Sequence, residues 1–178
     1  MLSDILRRAR VRRDAFAFAH ALLVVGCVST SRQSNPSSTR AAPDFGAQTV
    51  TGRAIRLGDL RGTVVVLHVW AAWDCAEELP GLDDIASRLA PHGAVVVAVA
   101  IDRTATEVVR IAAQRDRWNL TFLHDPTTRV AGLYDPSDFP AAYVIDREGY
   151  IRHAYQGLTN ADLPRIERDA RRLVFGTK

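Results

Sequence analysis

Residues 64–80 read V-V-V-L-H-V-W-A-A-W-D-C-A-E-E-L-P. The run from 63 to 70 is apolar almost without interruption, which is the pattern of a strand buried on both faces. Residues 75–89 then place Leu79, Leu82, Ile85 and Leu89 at helical spacing, and Asp74 is predicted to cap that helix. A doubly buried strand that feeds a helix belongs to α/β architecture.

On the C-terminal side the alternation continues. Residues 94–101 (A-V-V-V-A-V-A-I) form a second buried strand. Residues 104–115 are predicted helical with Val108, Val109, Ile111 and Ala112 inward, 120–123 a short strand and 127–133 a short helix. Residues 141–145 and 150–155 are strands joined by Asp146-Arg147-Glu148-Gly149, whose closing glycine suits a hairpin. Residues 160–174 form a last helix with Leu163, Ile166, Ala170 and Leu173 on one face and Asn160 as its cap. The order βαβαβαββα predicts an α/β fold, a mixed central sheet flanked by helices on both faces. The glycine patterns of dinucleotide and P-loop sites do not occur.

Composition excludes several partners. The 178 residues are 47% hydrophobic and 24% charged, which is globular and sufficient for one core. The formal charge of +3 has a local source. Residues 1–26 hold Arg7, Arg8, Arg10, Arg12 and Arg13 against Asp4 and Asp14, and the rest of the chain is neutral with 18 basic and 18 acidic residues. No basic stripe with interleaved aromatics remains, so nucleic acid is excluded as a partner. No apolar run reaches the roughly 18 residues of a spanning helix.

The N-terminal segment reads as an address. Residues 7–13 (R-R-A-R-V-R-R) are cationic, residues 15–25 are a short apolar run, and V-V-G-C ends at Cys27. That order suits a secretory signal. The last four residues resemble the lipobox of bacterial lipoproteins, in which the cysteine thiol carries the lipid and the chain is cut just before it. The rival reading is an amphipathic helix with a buried cysteine. The expected organisation is a signal peptide over 1–26, lipidated Cys27 with a Ser-rich tether over 27–42, and a folded domain over 43–178.

Three stretches carry a further likeness: residues 64–80, residues 139–149 (F-P-A-A-Y-V-I-D-R-E-G) followed by Gln156-Gly157, and the opening A-P-D-F at 42–45. Together they resemble thioredoxin-like thiol–disulfide oxidoreductases of the TlpA/ResA type, in the redoxin superfamily. The likeness spans residues 42–174. It implies a thioredoxin-like fold on the periplasmic or outer-surface face of a bacterial cell envelope, anchored to the membrane through Cys27. It also implies that Phe139-Pro140 is the family's cis-proline, with Trp73, Asp74, Phe139 and Pro140 lining a groove for an extended substrate segment.

The family's site, W-A-x-W-C-x-x-C-x-x-E-x-P, is incomplete. Residues 70–73 (W-A-A-W) fit its front and residues 75–80 (C-A-E-E-L-P) fit its back, with only Asp74 between them. Counted back from Pro80, Cys75 takes the resolving cysteine's place. Counted forward from Trp70, Asp74 takes the nucleophile's place. The dithiol is gone either way, and one cysteine cannot both form and resolve a mixed disulfide. Two functions follow. In the first, Cys75 acts alone by monothiol exchange, assisted by Glu78, which matches the family's active-site glutamate, and an outside thiol resolves it. In the second, Cys75 is inert, Glu78 is a solvated or capping carboxylate, and the groove binds an extended peptide without chemistry. A helix N-terminus favours the Cys75 thiolate, while Asp74, Glu77 and Glu78 oppose it. The shortened loop is expected to leave Cys75 covered.

A peroxidase would need a proline seven residues before the cysteine and Thr or Ser three before, where His68 and Ala72 stand. The five histidines have no ligand spacing with one another or with Cys75, and His68 reads as a core histidine. Neither a metal nor a cofactor is expected.

Overall fold

The computed structural model describes residues 40–73, 76–114 and 117–176. Cys27, Asp74 and Cys75 lie outside the described residues, as do the signal segment and the tether up to residue 39. The strands are β1 (Arg40–Ala41), β2 (Gly46–Thr49), β3 (Ala54–Arg56), β4 (Val64–Trp70), β5 (Ala94–Ala100), β6 (Thr121–His124), β7 (Ala141–Ile145) and β8 (Tyr150–Gln156). The helices are α1 (Leu79–Leu89), α2 (Thr106–Ala112), α3 (Arg129–Tyr134) and α4 (Leu163–Phe175).

All eight strands share one mixed sheet in the order β1-β8-β7-β4-β5-β6-β2-β3. β4, β5 and β6 run parallel, and β7 lies antiparallel to β4 with Val69 opposite Ala141. Every residue of β4 is buried, because both faces of the sheet are covered. Val64, Val66 and Trp70 face α1, α2 and α4 through Leu82, Ile85, Val108 and Ile166. Val65, Leu67 and Val69 face the other way, against α3 and the turn at Leu57 through Val130 and Tyr134.

Several expectations are corrected. The helix that follows β4 begins at Leu79 and is not capped by Asp74. Glu78 occupies the cap position, and Pro80 stands in the first turn, where its fixed φ and missing N–H fit. Residues 76–78 form a preceding turn, closed by a hydrogen bond from Leu79 N to Ala76 O of 3.3 Å. Val109 is 45% exposed, not inward, because α2 has only two turns and buries Val108 and Ile111. The last helix starts at Leu163 with Asp162, not Asn160, at its cap position, and it is preceded by a 3-10 turn, Asn160–Asp162, that Thr159 caps. The backbone and hydroxyl of Thr159 both donate to Asp162, at 3.2 and 3.0 Å.

The fold also reaches further toward the N-terminus than the expected boundary at 43. Arg40 and Ala41, assigned to the tether by their polar surroundings, pair with Ile151 and Tyr150, and Ala42 is buried in the core. The β2–β3 hairpin extends the sheet beyond β6. The sequence reading assigned no strand to it.

Candidate functional site

The carboxyl ends of parallel strands are where open α/β sheets place their sites. Here the segment after β4 (Ala71 to Trp73), Asp102 after β5 and Asp125 after β6 gather at that end. Asp102 holds the first of these in place. Both of its carboxylate oxygens accept the Ala72 N–H, at 3.1 and 3.0 Å, while its own carbonyl oxygen lies 2.7 Å from His124 Nε2. Asp102 is not singled out by the sequence. Its only signal was a buried-strand end followed by an acid, and the contact it makes spans 30 residues.

Trp70 and Trp73 divide as their positions suggest. Trp70 is fully buried, against Phe122, while Trp73 is 69% exposed. Antiparallel register continues from Val69–Ala141 to bring Pro140 level with Trp70. The Phe139–Pro140 peptide bond is cis. Pro140 is buried, its carbonyl accepts the Leu158 N–H at 2.7 Å, and Phe139 packs against the cluster that contains Ala71 and Ala141. The two segments singled out in the sequence, 70–73 and 139–140, therefore meet at one end of the sheet although they are far apart in the chain. Asp74 and Cys75, which follow directly on Trp73, are outside the described residues, so the expectation of a covered Cys75 falls there too.

Glu78 is not solvated, and although it stands at the cap position its side chain does not cap the helix. It is 4% exposed and makes no side-chain hydrogen bond to the helix start, and its carbonyl accepts the Leu82 N–H at 2.9 Å. A carboxylate buried at the head of α1 carries a desolvation cost that a surface cap would avoid.

His68 is the other buried polar group of this region. It lies on the same face of β4 as Trp70, with the two rings parallel and their centres 6.5 Å apart. Its Nδ1 is 3.2 Å from the Ala141 carbonyl, and its Nε2 has no hydrogen-bond partner among the described residues. Burial pushes its pKa down to about 4, only partly offset by the bond to Ala141, so the ring is neutral at pH 7. Among the described residues no group of three or more His, Cys, Asp or Glu side chains is placed to hold a metal ion. Nor is any helix among them long and apolar enough to cross a membrane.

The model of the AhpC/TSA family matches residues 39–154. The chain belongs to that family. Among AhpC/TSA relatives it is 29% identical over 172 residues to the thiol-disulfide oxidoreductase ResA of Oceanobacillus iheyensis, covering 87% of this chain and 88% of ResA. Its structure is similar to that of a Chlorobium tepidum protein described as a thiol:disulfide interchange protein, DsbE. The TM-score is 0.71 and the identity 27%, over 79% of this chain and 99% of that one. It is also similar to the exposed lipoprotein thioredoxin of Streptococcus pneumoniae strain TIGR4, with a TM-score of 0.61 and 26% identity over 71% of this chain and 99% of that one. The protein is thus a thioredoxin-like member of the redoxins, of the TlpA/ResA thiol–disulfide oxidoreductase type. The cysteines of this chain are Cys27 and Cys75.

Proposed function

We propose that this protein is a lipid-anchored redoxin of the bacterial cell envelope whose chemistry is limited to monothiol exchange at Cys75. The reading is supported by membership of the AhpC/TSA family over residues 39–154, with thiol–disulfide oxidoreductase relatives, together with a sequence that offers one cysteine, Cys75, in that range. The Cys75 thiolate attacks one sulfur of a substrate disulfide, a mixed disulfide forms, and the other substrate sulfur leaves as a thiolate. A thiol from outside the chain then attacks the substrate sulfur of that mixed disulfide. Cys75 regains its thiolate, the attacking thiol's proton goes to solvent, and the substrate is left disulfide-bonded to the outside thiol. The edge at Phe139 and cis Pro140, with exposed Trp73, would receive the extended backbone of the substrate beside Cys75. Glu78, buried at the head of α1, is the group we assign to proton movement at the thiol.

A second reading is supported by the same buried Glu78 together with Asp74 and Glu77. Carboxylates close in sequence to a cysteine favour the thiol over the thiolate, and the groove then binds an extended peptide without chemistry. Peptide affinity unchanged by Cys75→Ser, in a chain that exchanges no disulfide, would establish the binding reading.

Anchoring rests on the cationic segment, the short apolar run and V-V-G-C before the domain. With Cys27 acylated the protein should fractionate with membranes, because two acyl chains hold a protein stably at a bilayer. Cys27→Ala is expected to leave an unprocessed or soluble chain. Fractionation and a mass measurement of the N-terminus check this, and equal processing and membrane retention in the variant would overturn it.

A further inference from the structure

We infer that the end of the domain opposite Pro140 is a docking surface for an anionic phospholipid bilayer. Three turns meet at that end: residues 61–63 before β4, 92–93 before β5 and 146–149 between β7 and β8. Arg147 ties them together, donating to the carbonyls of Gly62 at 2.7 Å and His92 at 3.4 Å. The guanidinium of Arg61 lies over Gly149, so close that a Cβ there would fall 1.4 Å from Nη1. α4 starts at the site end, where Leu163 packs against Gly81, and finishes at this one, with the Phe175 ring 4.9 Å from His92. Phe175 is 53% exposed, and Arg171 stacks over it at 5.3 Å. Tyr150, also exposed, sits at the start of β8 under Arg152, 5.7 Å from its ring.

Arginines outnumber acids at this end, where the exposed acids are Glu148 and, two residues before Arg61, Asp59. Arg61, Arg147 and Arg171 contribute the positive charge, while Asp146 is buried and paired with Arg152. A groove of about 420 Å³ beside Gly176 is lined by Pro164, Glu167, Arg168, Arg171 and Arg172, with Arg168 and Arg172 also within 3.1 and 3.6 Å of the Asp169 carboxylate. Arginines interleaved with exposed aromatic rings suit the headgroup layer, where cations meet lipid phosphate and amphipathic rings settle at the interface. The chain also enters the domain here. Ala41 pairs with Tyr150, and the Ala42 N–H donates to Gly149 O at 2.9 Å. Only 12 residues separate Arg40 from Cys27. Even fully extended, that stretch reaches no further than about 45 Å. A lipid on Cys27 would therefore hold the domain within that distance of the bilayer, with the tether joining it at this end and Trp73 and Pro140 at the other. The presence of the bilayer rests on the lipid-anchored reading, while the surface itself does not.

The test uses the full chain with Phe175→Trp and vesicles whose acyl chains carry bromine, which quenches nearby indoles. On phosphatidylglycerol vesicles the added tryptophan is expected to be quenched, while the unaltered chain, whose exposed Trp73 lies at the opposite end, is not. Arg61→Gln and Arg171→Gln should each raise the lipid concentration at half-quenching about fivefold. Flotation on uncharged phosphatidylcholine vesicles reads the anchor separately. Flotation retained with the tryptophan at 175 unquenched on phosphatidylglycerol overturns docking alone. Quenching retained on phosphatidylglycerol with flotation lost on phosphatidylcholine overturns the anchor and upholds docking.

Discussion

A chain lengthened by Cys-Pro between Trp73 and Asp74 is expected to reduce insulin disulfides on the order of a hundredfold faster than the unaltered chain. The insertion creates C-x-x-C ending at Cys75, so the mixed disulfide formed by the new cysteine has a resolving thiol one turn away. The gain comes from proximity, since resolution no longer waits for an outside thiol to arrive. The surrounding frame is suited to the change. Ala72 is fixed by Asp102 on one side, and α1 begins at Leu79 on the other, so the two added residues fall between fixed points. Insulin turnover with a chemical reductant measures the effect, and Cys75→Ser in the lengthened chain should remove it. An unaltered chain already turning over at the lengthened chain's rate would show that the lost pair does not limit this protein.

Lowering the pH from 7 to 4 should cost about 3 kcal/mol of unfolding free energy through His68 alone. The ring is fully buried beside Trp70, and burial takes its pKa from 6.5 to about 4. Between those values the unfolded chain binds a proton that the native chain refuses. Stability is therefore highest above pH 6.5, falls as the pH drops through the window, and levels off near pH 4. His153 is also lowered by burial and adds a loss of the same sign below its ordinary value. Asp169 is different. Burial raises its pKa, but the bonds from Tyr155 and Arg168 outweigh this and hold it below 3.8. Its contribution is present above that value and lost further down in pH. Urea unfolding at pH 7 and pH 4, in the unaltered chain and in His68→Leu, measures the His68 share. The variant should keep most of its stability at pH 4. The same loss in both chains would mean that His68 is not the source.

The doubly buried strands were legible because their signal is local. Residues 63–70 and 94–101 could be little else, and β4 and β5 agree to within a residue at either end. The edge elements were not legible. Arg40 and Ala41 form a strand only because Ile151 and Tyr150 offer an open edge, and two residues carry no period of their own. The helix start failed for a related reason. Asp74 is a good cap by residue type, but Pro80 fits only the first turn, and its position moves the start to Leu79. At the site, the meeting of residues 70–73 with 139–140 was legible through the family likeness, not through any local pattern. The burial of Glu78 and the clasp of Asp102 on Ala72 were not, since both depend on where α1 and β5 end in space.

Trapping Cys75 with a disulfide-bonded extended peptide tests the central claim most directly. The full chain is incubated with the peptide disulfide at pH 7, and the adduct is mapped by mass spectrometry to the segment holding Cys75. A monothiol site with the proposed groove predicts one peptide attached through Cys75, formed faster than an adduct with oxidised glutathione because an extended backbone would be held at the edge beside Pro140. The adduct should persist until a separate thiol is added and then release the peptide in full. A Cys75 that stays unmodified, or an adduct that resolves with no outside thiol present, would contradict the account.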